Sequence, residues 1–390
     1  MPTILILAFI QSLFLAALLF SKKNKQISDI VLGVWLLLIG LHMLIHFGYL
    51  KLQLQNVILI NLNSGFPFLQ GPFLYFYVSS LTTQEIQLKR SNFLHFLPYI
   101  MFIIYQLFII KSITESSHEQ RIIIHLFDLP SFINIILLLS VPFYIVWSSL
   151  LLKKYRIRLL DTYSTIEKIN LNWLRYLITG LGVVWLIVIV VFVYMKFLGS
   201  SESHNVGHLI FVAITLFVYS IGYFGFRQTT IFSNVNGSIA EQTIIKSQIN
   251  NEISHTIESV NESFDKYQKS SLRKDQALEI LEQLVKYMET EKPYLDDQLT
   301  MPLVAAKSGI SVNHLSQIIN EYRKENFFDF VNSYRVEEVK QKLLNPKNDA
   351  FTLLAIAFEC GFGSKSAFNR IFKKSTGQTP TQYIKSLNFS

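Results

Sequence analysis

Cysteine is almost absent from this chain: Cys360 is the only one in 390 residues. A single thiol cannot form an internal disulfide, and it excludes zinc sites built from several cysteines. Because Cys360 stands next to Gly361 in a tight turn, we expect a small buried residue there. A redox-sensing thiol is the alternative.

Charge is scarce in the first part of the chain. Residues 1–226 hold 15 Lys and Arg and 8 Asp and Glu, whereas residues 227–390 hold 20 and 19. The whole chain is 51% hydrophobic, with a positive mean hydropathy of +0.34. The two parts are therefore expected to face different solvents, lipid for the first and water for the second.

Catalytic motifs are also missing. We find no His-Glu-x-x-His, no Gly-x-Ser-x-Gly and no paired carboxylates in the apolar segments, so we expect no enzyme activity and no cofactor. His42 and His46 would share one helix face and could hold a metal. With no third ligand nearby in sequence, interhelical hydrogen bonding or simple exposure is the favoured interpretation, and we predict no metal site.

Seven apolar runs are long enough to cross a bilayer. The first lacks a basic segment before it and is followed by Lys22-Lys23-Asn24-Lys25, which predicts a retained span with its N-terminus outside rather than a cleaved signal peptide. The seven predicted spans are 3–21, 30–50, 57–81, 93–111, 130–152, 173–197 and 206–226.

The charges of the loops between these spans predict the orientation. Loops on one side carry ten basic residues, and those on the other carry Lys51 and Arg121. The ten are Lys22, Lys23, Lys25, Lys89, Arg90, Lys153, Lys154, Arg156, Arg158 and Lys168. Because basic loops stay in the cytoplasm, we expect a multi-pass protein of the bacterial inner (cytoplasmic) membrane with a cytoplasmic C-terminus.

The third apolar run contains residues that break helices, at Asn63-Ser64-Gly65-Phe66-Pro67 and at Gln70-Gly71-Pro72. Broken helices at membrane depth often surround a cavity. We therefore predict a ligand pocket, for an unknown small-molecule or membrane signal, at Asn63, Ser64 and Gln70. Ordinary kinks, or a shorter span beginning near Phe66, are the alternatives.

Residues 227–298 are interpreted as a helical connector. Apolar residues recur at three- and four-residue steps between residues 245 and 268, which predicts a short coiled coil that could form a homodimer. The same stripe could instead pack against the next predicted helix, Ala277–Met288.

One short pattern is written twice after residue 299. Ala305 precedes Gly309 by four positions, and Ala357 precedes Gly361 in the same way. The alanine allows a close helix crossing, and the glycine supplies the positive φ of a tight turn. Ser311 and Ser364 would then cap the second helix of each copy. This pattern is typical of helix-turn-helix units, and the second copy has one extra residue in its turn.

A helical pattern from Phe327 to Leu344 separates the two copies. A helix of that length would hold two reading heads about one DNA turn apart, roughly 34 Å, so that both could enter successive major grooves.

These residues resemble the AraC/XylS-type transcriptional regulators. The resemblance covers roughly the last quarter of the chain and implies a seven-helix domain with two helix-turn-helix units. It also implies that double-stranded promoter DNA is a partner, and we expect RNA polymerase to be a second partner. The matching stretches are Ser311 to Leu315, Asn332 to Val336, Ala355 to Phe362, Phe368-Asn369-Arg370-Ile371-Phe372-Lys373-Lys374 and Gly377 to Tyr383.

Early residues of a recognition helix point into the groove, whereas basic residues farther along contact phosphates. The predicted base-contacting residues are Val312, Asn313, His314, Gln317, Lys365, Ser366 and Asn369. The predicted phosphate-contacting residues are Ser311, Arg323, Ser364, Arg370, Lys373 and Lys374. For Arg370 the alternative is packing against the connecting helix. Residues 300–390 hold 12 basic and 7 acidic groups, a modest excess that DNA binding requires.

The sequence thus predicts an all-α protein with three parts. They are a seven-span membrane sensor (1–226), a helical connector (227–298) and a double helix-turn-helix domain (299–390). The leading hypothesis is a membrane-embedded, sequence-specific transcriptional regulator. The alternatives are a constitutive membrane tether of a DNA locus and an intramembrane enzyme with a DNA-binding output domain.

Overall fold

The computed structural model describes residues 1–52, 56–83, 90–115, 131–167, 169, 171–198, 203–227, 274–345 and 351–387. It divides into two compact units. The first comprises Met1–Lys153 and Leu171–Asn251, and the second comprises Lys154–Asn170 and Glu252–Ser390. Every regular element within the described ranges is a helix, which confirms the all-α prediction.

The first unit contains eight α-helices within its described residues, the sixth of which continues into the second unit. They are α1 (Pro2–Phe20), α2 (Ile27–Lys51), α3 (Val57–Ser64), α4 (Pro67–Thr82), α5 (Leu97–Glu115), α6 (Ser131–Thr162), α7 (Asn172–Leu198) and α8 (Ser203–Arg227). A 3₁₀ segment, Arg90–Phe96, precedes α5.

Four of these helices are long and apolar enough to cross a membrane. They are Pro2–Phe20, Ile27–Lys51, Asn172–Met195 and Gly207–Phe224, which coincide with the first, second, sixth and seventh predicted spans. The described residues therefore contain four membrane-length apolar helices rather than the seven predicted.

The other three predicted spans do not coincide with any of these four helices, each for a different reason. The third is divided at Gly65, which ends the eight-residue α3, so the 16-residue α4 that follows is too short. The fourth contains an apolar stretch, Asn92–Phe108, that is also shorter than a span. The fifth lies within α6, but the side chains at 131–134 and 137 are outside the described residues. Pro67 begins α4 in the position where a proline costs no hydrogen bond, which explains the break before it.

Helices α1 and α2 pack closely because α2 carries glycines at the contact. A Cβ on Gly40 would lie 2.7 Å from the Ser12 hydroxyl oxygen, closer than atoms can approach. The turn between the two helices is fastened by Lys22, whose Nζ lies 2.6 Å from a carboxylate oxygen of Asp29, with both side chains buried. A buried charge needs such a partner.

The second unit contains seven α-helices after residue 273 in its described part. They are α9 (Lys274–Glu291), α10 (Met301–Ser308), α11 (Val312–Tyr322), α12 (Phe327–Leu343), α13 (Leu353–Glu359), α14 (Lys365–Thr376) and α15 (Pro380–Leu387). Helix α9 corresponds to the helix predicted at Ala277–Met288. The stretch 245–268, which carries the homodimer prediction, lies outside the described residues.

Helix α9 packs with the helices that follow it. Its buried Leu284 and Met288 share a hydrophobic cluster with Val304, Leu315 and Phe330. The compact unit that contains the two helix-turn-helix units therefore begins before residue 299. Burial of one apolar face against α10, α11 and α12 is the physical reason for this earlier start.

Helix α12 lies between two hydrophobic clusters. Phe327, Phe330 and Val331 belong to the cluster formed with α9, α10 and α11, whereas Val336 and Val339 belong to the one formed with α13 and α14. All five side chains are completely buried. The helix predicted between the two copies is confirmed, and its apolar residues join both helix-turn-helix units to a common support.

Candidate DNA interface

The first helix-turn-helix unit consists of α10 and α11. Helix α10 ends at Gly309, whose φ of 72° lies in the left-handed region that favours glycine. Ser311 then caps α11, since its hydroxyl oxygen accepts a hydrogen bond of 3.2 Å from the backbone N–H of His314. The turn chemistry predicted for this unit is confirmed.

The second unit consists of α13 and α14 and has the same features. Gly361 has a φ of 86°, and Ser364 caps α14 by accepting a hydrogen bond of 3.1 Å from the backbone N–H of Ala367. Its turn is longer, because Phe362 and Gly363 lie between the left-handed glycine and the cap, whereas Ile310 alone does so in the first unit.

Each recognition helix buries one face and leaves the other free. Leu315, Ile318 and Ile319 of α11 are buried, as are Phe368 and Phe372 of α14. The opposite faces carry the predicted base-contacting side chains. Val312, Asn313, Lys365, Ser366 and Asn369 are exposed, and His314 and Gln317 are half-buried.

The structure also shows the local partners of these polar residues. The Gln317 side-chain amide donates a hydrogen bond of 3.1 Å to Glu321, one turn farther along α11. The Ser364 and Ser366 hydroxyl oxygens lie 3.4 Å apart. Because the Ser311 and Ser364 oxygens already accept cap hydrogen bonds, each can still donate its O–H to a phosphate.

The predicted phosphate-contacting cations lie on the surface with different neighbours. Lys374 pairs with Asp329 at 2.8 Å, and Lys373 is exposed. The Arg323 guanidinium lies over the Phe330 ring at 5.8 Å.

Arg370 has the most elaborate surroundings of this set. Its guanidinium lies 5.9 Å from the centre of the Phe328 ring on α12, and one of its nitrogens is 3.4 Å from the Glu167 carboxylate. The contact with the connecting helix that the sequence analysis offered as an alternative is therefore observed, yet 57% of the side chain remains exposed. Both surroundings leave the guanidinium accessible to a further anion.

Arg335, in the middle of α12, is a buried structural residue to which the sequence analysis assigns no role. Its side chain is only 1% exposed, and every guanidinium nitrogen donates a hydrogen bond. The acceptors are the carbonyls of Tyr294 (2.7 Å), Asp296 (2.8 Å) and Ser164 (3.0 Å), the hydroxyls of Ser164 (3.0 Å) and Thr165 (3.2 Å) and the side chain of Asn332 (3.2 Å). The available signal was a lone arginine on the apolar face of a helix, four residues after Val331.

Burial lowers the pKa of Arg335 to about 10, and the carboxylates of Asp297, Asp296 and Glu167 act in the opposite direction. The guanidinium is therefore still a cation at neutral pH. It links three separate chain segments through a rigid planar fork that lysine could not reproduce.

A second buried polar group lies one turn farther along α12. Glu338 accepts hydrogen bonds of 2.9 Å from Lys292 and from the Tyr294 hydroxyl. Burial alone would raise the pKa of Glu338, but these two hydrogen bonds and the charges of Lys292 and Lys342 hold the pKa below its ordinary value. The group is thus an ionised carboxylate that anchors the segment before α10.

Cys360 is completely buried, as predicted. Burial raises the pKa of its thiol to about 12, so the thiol is protonated at neutral pH. A protonated, inaccessible thiol is a poor nucleophile, which argues against the redox-sensing alternative.

The polar residues predicted to form a ligand pocket lie in the first unit and contact its other helices. The side-chain oxygen of Asn63 is 2.9 Å from Nδ1 of His42, and the Trp35 indole donates a hydrogen bond of 2.8 Å to Gln70. Ser64 ends α3 beside them. A small apolar cavity of about 10 Å³ in this unit is lined by other residues, which are Leu32, Trp173, Leu177, Ser220, Ile221 and Phe224.

The imidazole rings of His42 and His46 contact protein side chains. His42 has the interhelical hydrogen bond to Asn63, as the favoured interpretation proposed, and the His46 ring stacks on Phe211 with their centres 4.0 Å apart. In the part of the chain that the structure describes, no group of three or more His, Cys, Asp or Glu side chains could hold a metal ion.

Comparison with known protein families finds a match within the second unit. A helix-turn-helix domain family matches residues 304–386. The chain is 28% identical over 104 residues to "Probable transcription factor PqrA" of Proteus vulgaris, covering 27% of this chain and 82% of that protein. It is 30% identical over 99 residues to the HTH-type transcriptional regulator YijO of Escherichia coli (strain K12), covering 24% of this chain and 34% of that protein.

Two further matches cover similar shares of this chain. An HTH-type transcriptional regulator of Staphylococcus aureus (strain COL) is 33% identical over 90 residues, covering 23% of this chain but 12% of that protein. A solved structure of a protein of unknown function from Listeria innocua is 29% identical and covers 27% of this chain and 95% of that one, with a TM-score of 0.24.

The chain covers 82% of the length of the first of these relatives, but 34% and 12% of the two regulators named next. The C-terminal part of this chain thus carries a helix-turn-helix domain, and the proteins to which the chain is similar include ones named as transcriptional regulators.

Proposed function

We propose that this protein is a membrane-embedded transcriptional regulator that binds promoter DNA with both recognition helices, α11 and α14. The observation that carries this proposal is the pair of capped helix-turn-helix units on either side of the buried α12, each with a free polar face. A helix with one packed face and one polar face can enter the major groove without losing its core contacts.

The two recognition helices would contribute unequally. The exposed face of α14 and its end carry Lys365, Arg370, Lys373 and Lys374, whereas the first turns of α11 carry Asn313 and Gln317. Cations supply salt-dependent affinity through phosphates, and amide side chains can pair with adenine edges. We therefore assign most of the electrostatic affinity for DNA to α14, and recognition of bases by uncharged side chains to α11.

The membrane part of the proposal rests on the four apolar helices and on the loop charges. The basic turn after α1, Lys22 to Lys25, and the basic end of α6, Lys153 to Arg158, would stay on the cytoplasmic side, where the DNA is. Four crossings alone would leave both termini on one side, so this orientation requires an odd number of further crossings between α2 and α7. The N-terminus would then lie outside the inner membrane and the C-terminus inside. Coupling of a signal to promoter binding would require a ligand that binds two states of the protein unequally.

Several partners belong to the same proposal. They are the lipid bilayer, a small-molecule or membrane signal, RNA polymerase, and a second copy of the chain through residues 245–268. We propose no catalytic role. A constitutive tether of a DNA locus is the second candidate function, and it differs in predicting DNA occupancy that no stimulus changes.

A direct test is selection of DNA by the purified full-length protein in nanodiscs. Fragments of the host genome would be selected, sequenced and bound again at several salt concentrations. We expect a shared motif with two half-sites about one helical turn apart, and a log–log salt dependence that becomes shallower by about one for Lys373→Ala. Lys286→Ala, an exposed cation on α9, is the matched control. Selection without any shared motif would contradict sequence-specific binding.

A further inference from the structure

The chain between α6 and α7 is part of the second unit rather than the first. Residues Lys154–Asn170 cluster with Glu252–Ser390 in one compact unit. Tyr163 forms an antiparallel bridge with Thr300, and Ser164 is 1% exposed. A segment that belongs by sequence to the apolar half is thus built into the DNA-binding half.

Ser164 is held by hydrogen bonds from every side. Its backbone N–H and its hydroxyl both donate to the carbonyl of Leu299, at 3.2 and 2.7 Å, directly before α10. Its carbonyl accepts hydrogen bonds of 3.0 Å from Asn332 and from Arg335 on α12. Buried polar groups whose hydrogen bonds are all satisfied fix one arrangement of the chain, so this segment has one defined position in the second unit.

The residues after Ser164 reach the second recognition helix. Ile166 is buried in the cluster that contains Phe368 and Phe372 of α14. A Cβ on Gly363, one residue before the α14 cap, would lie 2.9 Å from the methyl carbon of Thr165. Glu167 then pairs with Arg370 of α14 at 3.4 Å.

We propose that segment Tyr163–Glu167 is an intramolecular restraint on DNA binding, in which Glu167 occupies Arg370 and competes with a DNA phosphate for it. This inference rests on the proposed function. A carboxylate beside a phosphate-binding cation weakens binding twice, because the cation must leave its partner and the carboxylate repels the phosphate.

The pair is suited to such a role because it is exchangeable. The Arg370 side chain is 57% exposed and that of Glu167 is 23% exposed. Ion pairs of this kind add little to stability, so their loss leaves the fold intact. The buried bonds of Ser164 keep the segment in place, while the carboxylate at its end acts on the DNA-binding face.

The first experiment compares Glu167→Gln with the wild type, both full-length in nanodiscs, on the DNA selected above. We expect Glu167→Gln to bind this DNA about three- to tenfold more tightly than the wild type. The slope of log affinity against log salt concentration should become steeper by about one, which corresponds to one more phosphate contact. Glu359→Gln is the matched control, because that carboxylate pairs with Lys342 and not with a recognition-helix cation. In an Arg370→Ala background, Glu167→Gln should leave the salt dependence unchanged.

The second experiment fixes the segment in place. Thr165→Cys with Gly363→Cys puts two thiols within disulfide reach, and Cys360 is buried and does not compete. Oxidation should weaken DNA binding relative to the reduced form of the same protein, and reductant should restore it.

The outcomes separate this inference from the function on which it rests. If the wild type and every variant fail to select DNA, the proposed function is wrong. If the wild type selects DNA but Glu167→Gln binds with the same affinity and salt dependence, or the oxidised protein binds more tightly, the restraint is wrong and the function stands.

Discussion

At the scale of single residues, Arg335 determines how the second unit is held together. Its guanidinium joins the chain before α10, the middle of α12 and the segment after α6 through six hydrogen bonds. A buried cation of this kind is costly to remove, because its acceptors are left without partners.

We expect Arg335→Met to lower the local stability of α12 by about 3 kcal/mol. Hydrogen exchange of the α12 backbone amides in the full-length protein measures this directly. Lys340→Met is the control, because this half-buried cation pairs with the exposed Glu337 of the same helix, and it should change exchange by less than about 0.5 kcal/mol. Equal exchange in both variants would show that Arg335 is not the link between the three segments.

Glu338 makes the same region sensitive to acid. Because its pKa is lower in the folded protein than its ordinary value of 4.5, its contribution to stability is present above that value and is lost as the pH falls through the folded pKa. We expect the exchange protection of α12 to fall below about pH 4.5 in the wild type, and to fall less in Glu338→Gln. Identical pH profiles would rule out this role for the carboxylate.

At the scale of elements, the two turns look alike in sequence but differ in their surroundings. A Cβ on Gly361 would collide with the backbone carbonyl of Tyr294, whereas a Cβ on Gly309 would meet nothing within 4 Å. Both glycines have positive φ, so both substitutions cost the left-handed strain of about 1–2 kcal/mol.

We therefore expect Gly361→Ala to be clearly more destabilising than Gly309→Ala, which serves as its matched control. Hydrogen exchange of the α13 and α14 backbone amides measures the loss of stability in Gly361→Ala. Exchange of the α10 and α11 amides measures the loss in Gly309→Ala. Similar losses of stability in the two variants would mean that backbone strain alone, and not the contact with Tyr294, determines the destabilisation.

The elements of the second unit were predictable from sequence because their signals are local. Gly309, Gly361, Ser311 and Ser364 mark turns and caps through backbone chemistry that depends on a few neighbouring residues. The seat of Ser164 was not predictable, since it depends on contacts with residues more than 130 positions away. The division of the third predicted span was visible at Gly65 and Pro67, and the alternative of a shorter span beginning near Phe66 agrees with α4, which begins at Pro67.

At the scale of the whole molecule, the apolar helices and the basic turns together predict the orientation in the membrane. Because Cys360 is buried and its pKa is raised to about 12, a cysteine introduced elsewhere can be labelled selectively. Asn24→Cys lies in the basic turn after α1, and Leu52→Cys lies beyond the opposite end of α2.

An impermeant thiol reagent added to intact cells should label Leu52→Cys and not Asn24→Cys. After the membrane is opened, both should be labelled. The unsubstituted protein is the control for the native thiol and should remain unlabelled throughout. Labelling of Asn24→Cys in intact cells would contradict the proposed orientation of α1 and α2.

The central claim is that a membrane-embedded chain reads promoters with its two recognition helices. The most direct test is genome-wide DNA occupancy of the full-length protein in its host, beside a strain that carries Asn369→Ala with Arg370→Ala and a control strain that carries Lys286→Ala. Our account predicts discrete promoter peaks in the wild type and the control, and their loss in the double variant while the protein stays in the membrane. Intact membrane protein without peaks under any growth condition, or peaks that persist in the double variant, would contradict it.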